Sequence, residues 1–269
     1  MEFSVLMSVY DKERPEFLHA ALESIWTNQT LPPSEIILVK DGVLTPELDK
    51  IILQFQTIAP LKIYPIDKNV GLGTALKIGL NICSYEIIAR MDSDDISCPD
   101  RFEKQIKLMT EKPHLDISGT YIAEFHDHTD NICSRRHLPI TYQAIQHFAK
   151  IRNPLNHMTV IFKKSAILDA GNYQPFHGYE DYYLWIRMLQ NSSQFENLPE
   201  ELVFARVGNN MYARRQGLQF FVQELKLQKE FLNRNFLNYW EFSRNIVLRA
   251  LPRLFPVSGL KLVYKYLRK

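Results

Sequence analysis

Residues 86–95 read EIIARMDSDD. Glu86 to Met91 has the apolar, β-branched make-up of a buried strand, and it stops on Asp92-Ser93-Asp94-Asp95. Three carboxylates within four residues at a strand end repel one another and lose hydration unless a cation compensates them. Oxygen ligands at this density suit Mg2+ or Mn2+, which commonly bridge to substrate phosphates. The alternative is a solvated turn that caps the next helix, since Asp and Ser are also good capping residues.

Upstream of this stretch, strand and helix patterns alternate. Phe3 to Val9 is a continuous apolar strand pattern, ending around Ser8, Tyr10 and Asp11. Pro15 opens a helix whose apolar face is Phe17, Leu18, Ala21, Leu22 and Ile25. Glu35 to Val39 is a second strand, ending at Lys40-Asp41-Gly42, and Leu48, Ile51, Ile52 and Phe55 mark a second helix. Leu61 to Ile66 reads as a third strand, followed by Asn69-Val70-Gly71 and a helix from Leu72 to Ile82. Such alternation predicts an α/β fold with a mainly parallel sheet and right-handed crossovers. Ligands of such sheets lie beyond the carboxyl ends of the strands. Those ends hold Ser8 and Tyr10, Asp41, Asn69, and Asp92 to Asp95.

The second half is less regular. Helix is expected from Pro99 to Thr110, and strands over Leu115–Phe125 and Met158–Lys163 (MTVIFK). A helix starting near Glu180 would bury Tyr183, Leu184, Ile186, Arg187 and Leu189 as one stripe. From Gly217 onward the chain reads as helical, with Phe220, Leu225, Leu227, Phe231 and Leu232 apolar among Lys and Gln.

Composition narrows the function classes. The 269 residues are 46% hydrophobic and 23% charged, which is ordinary globular material. Lys and Arg number 32 against 30 acids, so no global field argues for nucleic acid. Cys83, Cys98 and Cys133 form no CxxC pair, which argues against a disulfide framework or structural zinc and for a reducing compartment. Glu2 and the early polar break mark the N-terminal run as a core strand instead of a leader. No run of 18 apolar residues offers a membrane-spanning helix.

Four further groups bear on chemistry. Asn69-Val70-Gly71-Leu72-Gly73 opens a helix after a strand, like a phosphate cradle, but Leu76 occupies the third Gly position of GxGxxG, and no P-loop is present. Glu180-Asp181 either caps its helix or offers a general base. His157 either contacts substrate or is a satisfied half-buried histidine. Arg214-Arg215 either clamps phosphate or forms a solvated face.

Taken in order, SVLMSVYDKERPEFLHAALESIWTNQT, EIILVKDG, NVGLGTALKIGL, ARMDSDDISCPDRFEKQ, NPLNHMTVIFKKS and GYEDYYLWIRM resemble the family 2 inverting glycosyltransferases of GT-A type. The likeness covers about residues 3–215, and resemblance to the bacterial branch that builds O-antigen, capsule and exopolysaccharide is also strong. The resemblance implies a GT-A fold with a Rossmann-like nucleotide-binding half, and a nucleotide-sugar donor. Ser8, Val9 and Tyr10 would line the nucleotide, with Asp41 on the base and Asn69, Gly71, Leu72, Asp92 and Ser93 also at the donor. Asp94, with Asp92, would hold Mn2+ or Mg2+ on the diphosphate. Asp181, or else Glu180, would deprotonate the acceptor hydroxyl, and His157, Arg214 and Arg215 would face acceptor or diphosphate. One carboxylate base permits a single in-line displacement with inversion. The donor expected is UDP-galactose or UDP-glucose, and the acceptor an undecaprenyl-diphosphate-linked N-acetylhexosamine at the cytoplasmic face of the inner membrane. A sugar-phosphate nucleotidyltransferase is the first alternative, but the basic, Gly-rich run it would carry near the first strand is missing. A non-catalytic nucleotide-sugar-binding protein is the second.

This divides the chain into a catalytic domain, 1–215, and a helical extension, 216–269. Arg244 to Lys269 carries Arg244, Arg249, Arg253, Lys261, Lys265, Arg268 and Lys269 and no acid, interleaved with aliphatic and aromatic residues. Such a stretch, broken by Pro252 and Pro256, either lies in a membrane interface as a peripheral anchor or packs on the catalytic domain.

Overall fold

Strand and helix alternate through β1 (Phe3–Val9), α1 (Pro15–Ile25), β2 (Glu35–Asp41), α2 (Pro46–Gln56), β3 (Leu61–Ile66), α3 (Leu72–Ile82) and β4 (Ile87–Arg90). The chain continues through β5 (Ile96–Ser97), α4 (Arg101–Glu111), β6 (Ile117–Phe125), β7 (Ile132–Arg136), α5 (Tyr142–Ala149), β8 (Ile161–Lys163), α6 (Lys164–Asp169), α7 (Glu180–Gln190) and β9 (Phe195–Arg206). The helices α8 (Leu218–Asn233) and α9 (Tyr239–Asn245) follow, and α9 runs into a π-helical turn, Ile246–Ala250. This computed structural model describes residues 1–208, 217–250 and 253.

One mixed sheet has the order β3-β2-β1-β4-β8-β6-β9-β5, with β7 also paired to β6. The four strands β3-β2-β1-β4 are parallel throughout, as the local βαβ repeat demands. The other half joins through an antiparallel seam, Ile88 opposite Phe162, and contains one more parallel pair, β6 with β9. Side chains alternate across the sheet with period two. Leu6, Ile37 and Val39 face a core shared with α3, α7 and α8, and Phe3, Val5, Met7 and Leu38 face one shared with α1, α2 and α4. Helix α3 approaches closely because a Cβ on Gly79 would stand 2.5 Å from Leu6 Cδ1 and 2.7 Å from Val39 Cγ2.

Several expectations need correction. MTVIFK is not one strand: His157–Thr159 is a 3-10 turn, and only Ile161–Lys163 pairs. Helix α7 is buried all round from Tyr182 to Leu189, so it is a core helix without a polar face along that stretch. The buried face of α8 is Glu224, Leu227, Gln228 and Phe231, half of it polar, so of the apolar residues read from sequence only Leu227 and Phe231 lie fully inside. The long strand β9 and the short β5 and β7 were not anticipated.

Leu227, Phe231 and Leu237 belong to the same apolar cluster as Leu184 and Trp185. Arg244, Arg249 and Arg253, three of the seven basic residues of the tail, turn inward: they meet the Lys150 carbonyl, the Ile151 carbonyl and the Glu224 carboxylate respectively. They do not form a cationic outer face. Tyr239, Trp240, Val247 and Leu248 are exposed, and residues 254–269 lie outside the described residues. No described helix is long and apolar enough to cross a membrane.

Candidate active site

Register brings the carboxyl ends of β1, β2 and β4 to one edge, because Val9 pairs with Lys40 and Leu6 with Arg90. The acidic cluster begins where β4 ends. Single oxygens of Asp92, Asp94 and Asp95 lie within 4.8 Å of one another. Desolvation, with the charges of Asp92 and Glu13, pushes the Asp94 carboxyl up to about 7. Asp95 is raised for the same reason, and its Oδ2 is buried without a hydrogen-bond partner. Crowded carboxylates with an orphaned oxygen fit a divalent cation, which would supply positive charge at a leaving diphosphate.

Each acid has its own tether. Asp92 pairs with Arg90, and the Asp95 Oδ1 accepts from the Arg206 amide at 2.7 Å. Arg206 also donates through Nε to the Asp94 carbonyl at 3.0 Å, while its guanidinium stacks over Phe17 and Phe125. Ser93, buried, donates to Glu13 Oε2 at 2.5 Å. Behind the strand end, buried Arg101 donates to the Arg90 carbonyl at 2.8 Å. Strand β9 thus closes the cluster from the far side of the sheet.

On the parallel side Asp41 has a defined job. Its carboxylate accepts from the Val70 amide at 2.7 Å and the Gly71 amide at 3.0 Å, and Asn69 Nδ2 donates to its carbonyl at 3.3 Å. The start of α3 has no capping side chain of its own, so this distant acid satisfies amides just ahead of it. Gly42 at φ +97° makes the turn, and a Cβ there would stand 3.0 Å from the Asn69 amide nitrogen. Ser8 is half-buried, Val9 buried, and Tyr10, Asn69 and Leu72 exposed along the same edge.

Glu180 and Asp181 begin α7, as expected. Asp181 accepts from Asn153 Nδ2 at 2.6 Å. Desolvation raises its pKa against the opposing pull of Asn153, the Tyr182 amide, Arg90 and Arg136. Glu180 is raised too, first by desolvation and then by Asp181. A carboxylate held in one orientation with an elevated pKa is suited to accept a proton. Glu180 also packs on the start of α3: a Cβ on Gly73 would stand 2.6 Å from its Cγ.

Arg90 is the residue that sequence reading passed over. It is 1% exposed, and its Nε and Nη1 are buried without partners. Its charge acts on Asp92, Asp94 and Asp95 on one side and on Asp181, Tyr173 and His157 on the other. The signal was available: a single cation inside an apolar strand, two residues before the acids. His157 places Nε2 3.0 Å from the Tyr173 hydroxyl and packs edge-on to Trp185. Desolvation and Arg90 hold its pKa well below the usual value, so the ring is neutral. Arg214 and Arg215 lie outside the described residues.

The model of the family described as glycosyl transferase family 2 matches residues 4–171. The amylovoran biosynthesis glycosyltransferase AmsE of Erwinia amylovora is 39% identical, over 99% of both chains. A UDP-Gal:alpha-D-GlcNAc-diphosphoundecaprenol beta-1,3-galactosyltransferase of Escherichia coli is 36% identical, over 98% of this chain and 95% of its own. Among solved structures, S. aureus TarS 1–349 in complex with UDP-GlcNAc aligns with TM-score 0.68 at 16% identity, over 94% of this chain and 72% of that one. The longer TarS chain is matched over 43% of its length. These structural likenesses show the fold, the α/β architecture of GT-A type that the resemblance implied. A matched family model spanning both the parallel half and the acidic cluster, with relatives matched end to end, establishes that the chain belongs to glycosyl transferase family 2.

Proposed function

We propose that this glycosyltransferase is an inverting, Mn2+- or Mg2+-dependent hexosyltransferase of bacterial surface polysaccharide synthesis. It transfers a hexose from a UDP-sugar, UDP-galactose or UDP-glucose, to an N-acetylhexosamine carried on undecaprenyl diphosphate. The end-to-end likeness to the galactosyltransferase named above supports donor and acceptor class. The observation that carries the mechanism is the pairing of an acidic cluster at the end of β4 with one oriented carboxylate, Asp181, at the start of α7.

In this reading Ser8, Val9, Tyr10, Asp41, Asn69, Gly71, Leu72 and Ser93 form the donor edge, and Asp92 and Asp94 hold the metal. Held there, a divalent cation would supply positive charge to offset that of the departing diphosphate. Asp181 takes the proton of the acceptor hydroxyl, which adds to the anomeric carbon as the bond to the diphosphate oxygen breaks. Glu180, half-buried beside it, serves to shape the pocket. Asp95 Oδ1 is held by the Arg206 amide, and its unpartnered Oδ2 adds to the negative charge of the cluster. The catalytic unit is residues 1–215, and 216–269 is an extension that shares its core. Work at the cytoplasmic face of the membrane follows from the acceptor, and exposed Tyr239, Trp240, Val247 and Leu248 offer amphipathic and apolar contact area there.

The deciding experiment is a donor screen with synthetic GlcNAc-diphosphate-lipid and Mn2+, followed by linkage analysis. Formation of an anomerically inverted disaccharide-lipid from UDP-galactose or UDP-glucose is the expected result. Transfer with retention, or no transfer from any UDP-hexose, would overturn the proposal. Absence of even slow donor hydrolysis with Mn2+ would favour the non-catalytic alternative.

A further inference from the structure

The C-terminal helices grip two segments that each lead to Asp181. Glu224 of α8 is 0% exposed. Its Oε1 accepts from Arg249 Nε at 2.7 Å and Gln228 Nε2 at 2.9 Å. Its Oε2 accepts from the Tyr179 hydroxyl at 2.7 Å, Arg249 Nη2 at 3.3 Å and Arg253 Nη2 at 3.4 Å. Tyr179 is two residues before Asp181. The second grip falls on Lys150 and Ile151. Arg249 Nη1 donates to the Ile151 carbonyl, and Asn245 Nδ2 to the Lys150 carbonyl at 2.8 Å and on to Gln228 Oε1 at 2.8 Å. Two residues beyond Ile151 stands Asn153, the side chain that donates to Asp181.

A buried ion cluster is a poor way to gain stability, since apolar residues of the same volume usually do as well. A cluster whose members each have several partners does hold its surroundings in one arrangement. Desolvation pushes the Glu224 carboxyl up, but the charge and hydrogen bonds of Arg249, with the Tyr179 hydroxyl and Arg253, overcome that and hold it at about 2. The cluster therefore stays ionised at any pH at which the enzyme works.

We propose that Glu224, Arg249 and Arg253 are positioning residues for catalysis: through Tyr179 and the Ile151–Asn153 segment they set where Asp181 sits. The inference rests on the reading of Asp181 as the base. The extension is then part of the catalytic apparatus, whatever it does at a membrane.

Tyr179→Phe removes one hydroxyl and keeps the ring, so it tests the link with little risk to folding. Transfer is measured in the full-length protein with the donor that the screen selects, together with UDP affinity and the melting temperature. The expected result is a fall in kcat of about tenfold, with donor KM and UDP affinity within about twofold and little change in melting temperature. Arg249→Lys, which keeps the charge, should retain more kcat than Arg249→Met. The Tyr179→Phe/Arg249→Lys double variant should lose little more than its worse parent, because the two act as a unit. Wild-type kcat in Tyr179→Phe, or parallel loss of kcat, UDP affinity and stability, would overturn the proposal. Asp181→Asn is the control: if it keeps full activity, the base assignment fails and the proposal falls with it. If it is inactive while Tyr179→Phe is wild type, only the positioning role fails.

Discussion

Substituting Gly73 by Ala probes how tightly the base-bearing turn is seated. Gly73 is the second residue of α3, and a Cβ there would stand 2.6 Å from Glu180 Cγ and 3.2 Å from Glu180 Cβ. Ordinary contact begins near 3.4 Å, so Glu180 or the start of α7 must retreat by about 0.8 Å. The nearest atoms are close to the Glu180 backbone, so rotation of the carboxylate end alone does not relieve the overlap. Two effects on stability oppose each other. Ala is favoured over Gly in a helix by up to about 1 kcal/mol, less in the first turn, and an overlap this close costs about 1–3 kcal/mol. Stability should therefore fall by about 1–2 kcal/mol, which leaves the fold intact. Activity should respond more, because displacement of a catalytic group by about 1 Å can cost up to about 100-fold. The expected outcome is a kcat lowered between about tenfold and 100-fold, at nearly unchanged UDP affinity and with a small drop in urea midpoint. Saturation kinetics with both substrates, UDP titration and urea unfolding on one preparation measure all three. A wild-type kcat would refute the claim that Glu180 and Asp181 must hold their place to within an ångström.

Asp94→Ala should keep the fold and lose about 1,000-fold in Mn2+-dependent turnover, and Mn2+ titration by calorimetry should weaken in parallel; full activity of the variant in EDTA would contradict a metal role. Gly79→Ala inserts a methyl 2.5 Å from Leu6 Cδ1 and 2.7 Å from Val39 Cγ2, two well-packed strand residues, and should cost about 1–2 kcal/mol in urea after its helix-propensity gain. The Glu224 carboxyl is depressed from 4.5 to about 2 in the folded state, so the unfolded chain binds the extra proton in acid. Its contribution of about 3 kcal/mol is present above pH 4.5 and lost as pH falls toward 2. Unfolding midpoints measured across that window should fall, with Glu224→Gln flatter than wild type. Flotation with anionic liposomes should recover less of a Tyr239→Ser/Trp240→Ser variant than of wild type; equal recovery at low salt would remove those two aromatics from any membrane contact.

The parallel half was legible because its determinants are local. Seven-residue apolar runs, Pro15 at a helix start and the strand-end acids each act within a few residues, and β1, β3 and α3 fall where periodicity put them. Strand β9 was hidden because its sequence, FENLPEELVFAR, carries Pro199 and three Glu. The sheet accommodates them by a register shift: Thr120 pairs with Leu198 and Tyr121 with Glu201, so Pro199 and Glu200 are passed over. No pattern along β9 alone announces a bulge that depends on β6. The polar face of α8 was hidden for a related reason. Glu224 and Gln228 look like solvated residues until Arg249, 25 residues later, folds back onto them. At the site, the acids and the start of α7 were readable, and Arg90 stood two residues before Asp92, the acid it pairs with, whereas Asn153 and Arg206 acquire meaning only from contacts far along the chain.

The tether between Asp95 and the Arg206 amide spans 111 residues. A ribosome adds about 5–20 residues each second, so Asp95 leaves the exit tunnel roughly 5–20 s before its partner does. For the first part of that interval β4 lacks its neighbour β8, and β5 waits longer still for β9. All four strands of the parallel sheet are then outside the tunnel, with β4 unpaired on the side that β8 will take and three neighbouring carboxylates still in water. Those charges are well placed to discourage another chain from pairing with that edge, in the way charged residues guard exposed strands elsewhere. The residues that crowd together in the finished enzyme would then have an earlier use, as gatekeepers while the second half of the protein is still being made.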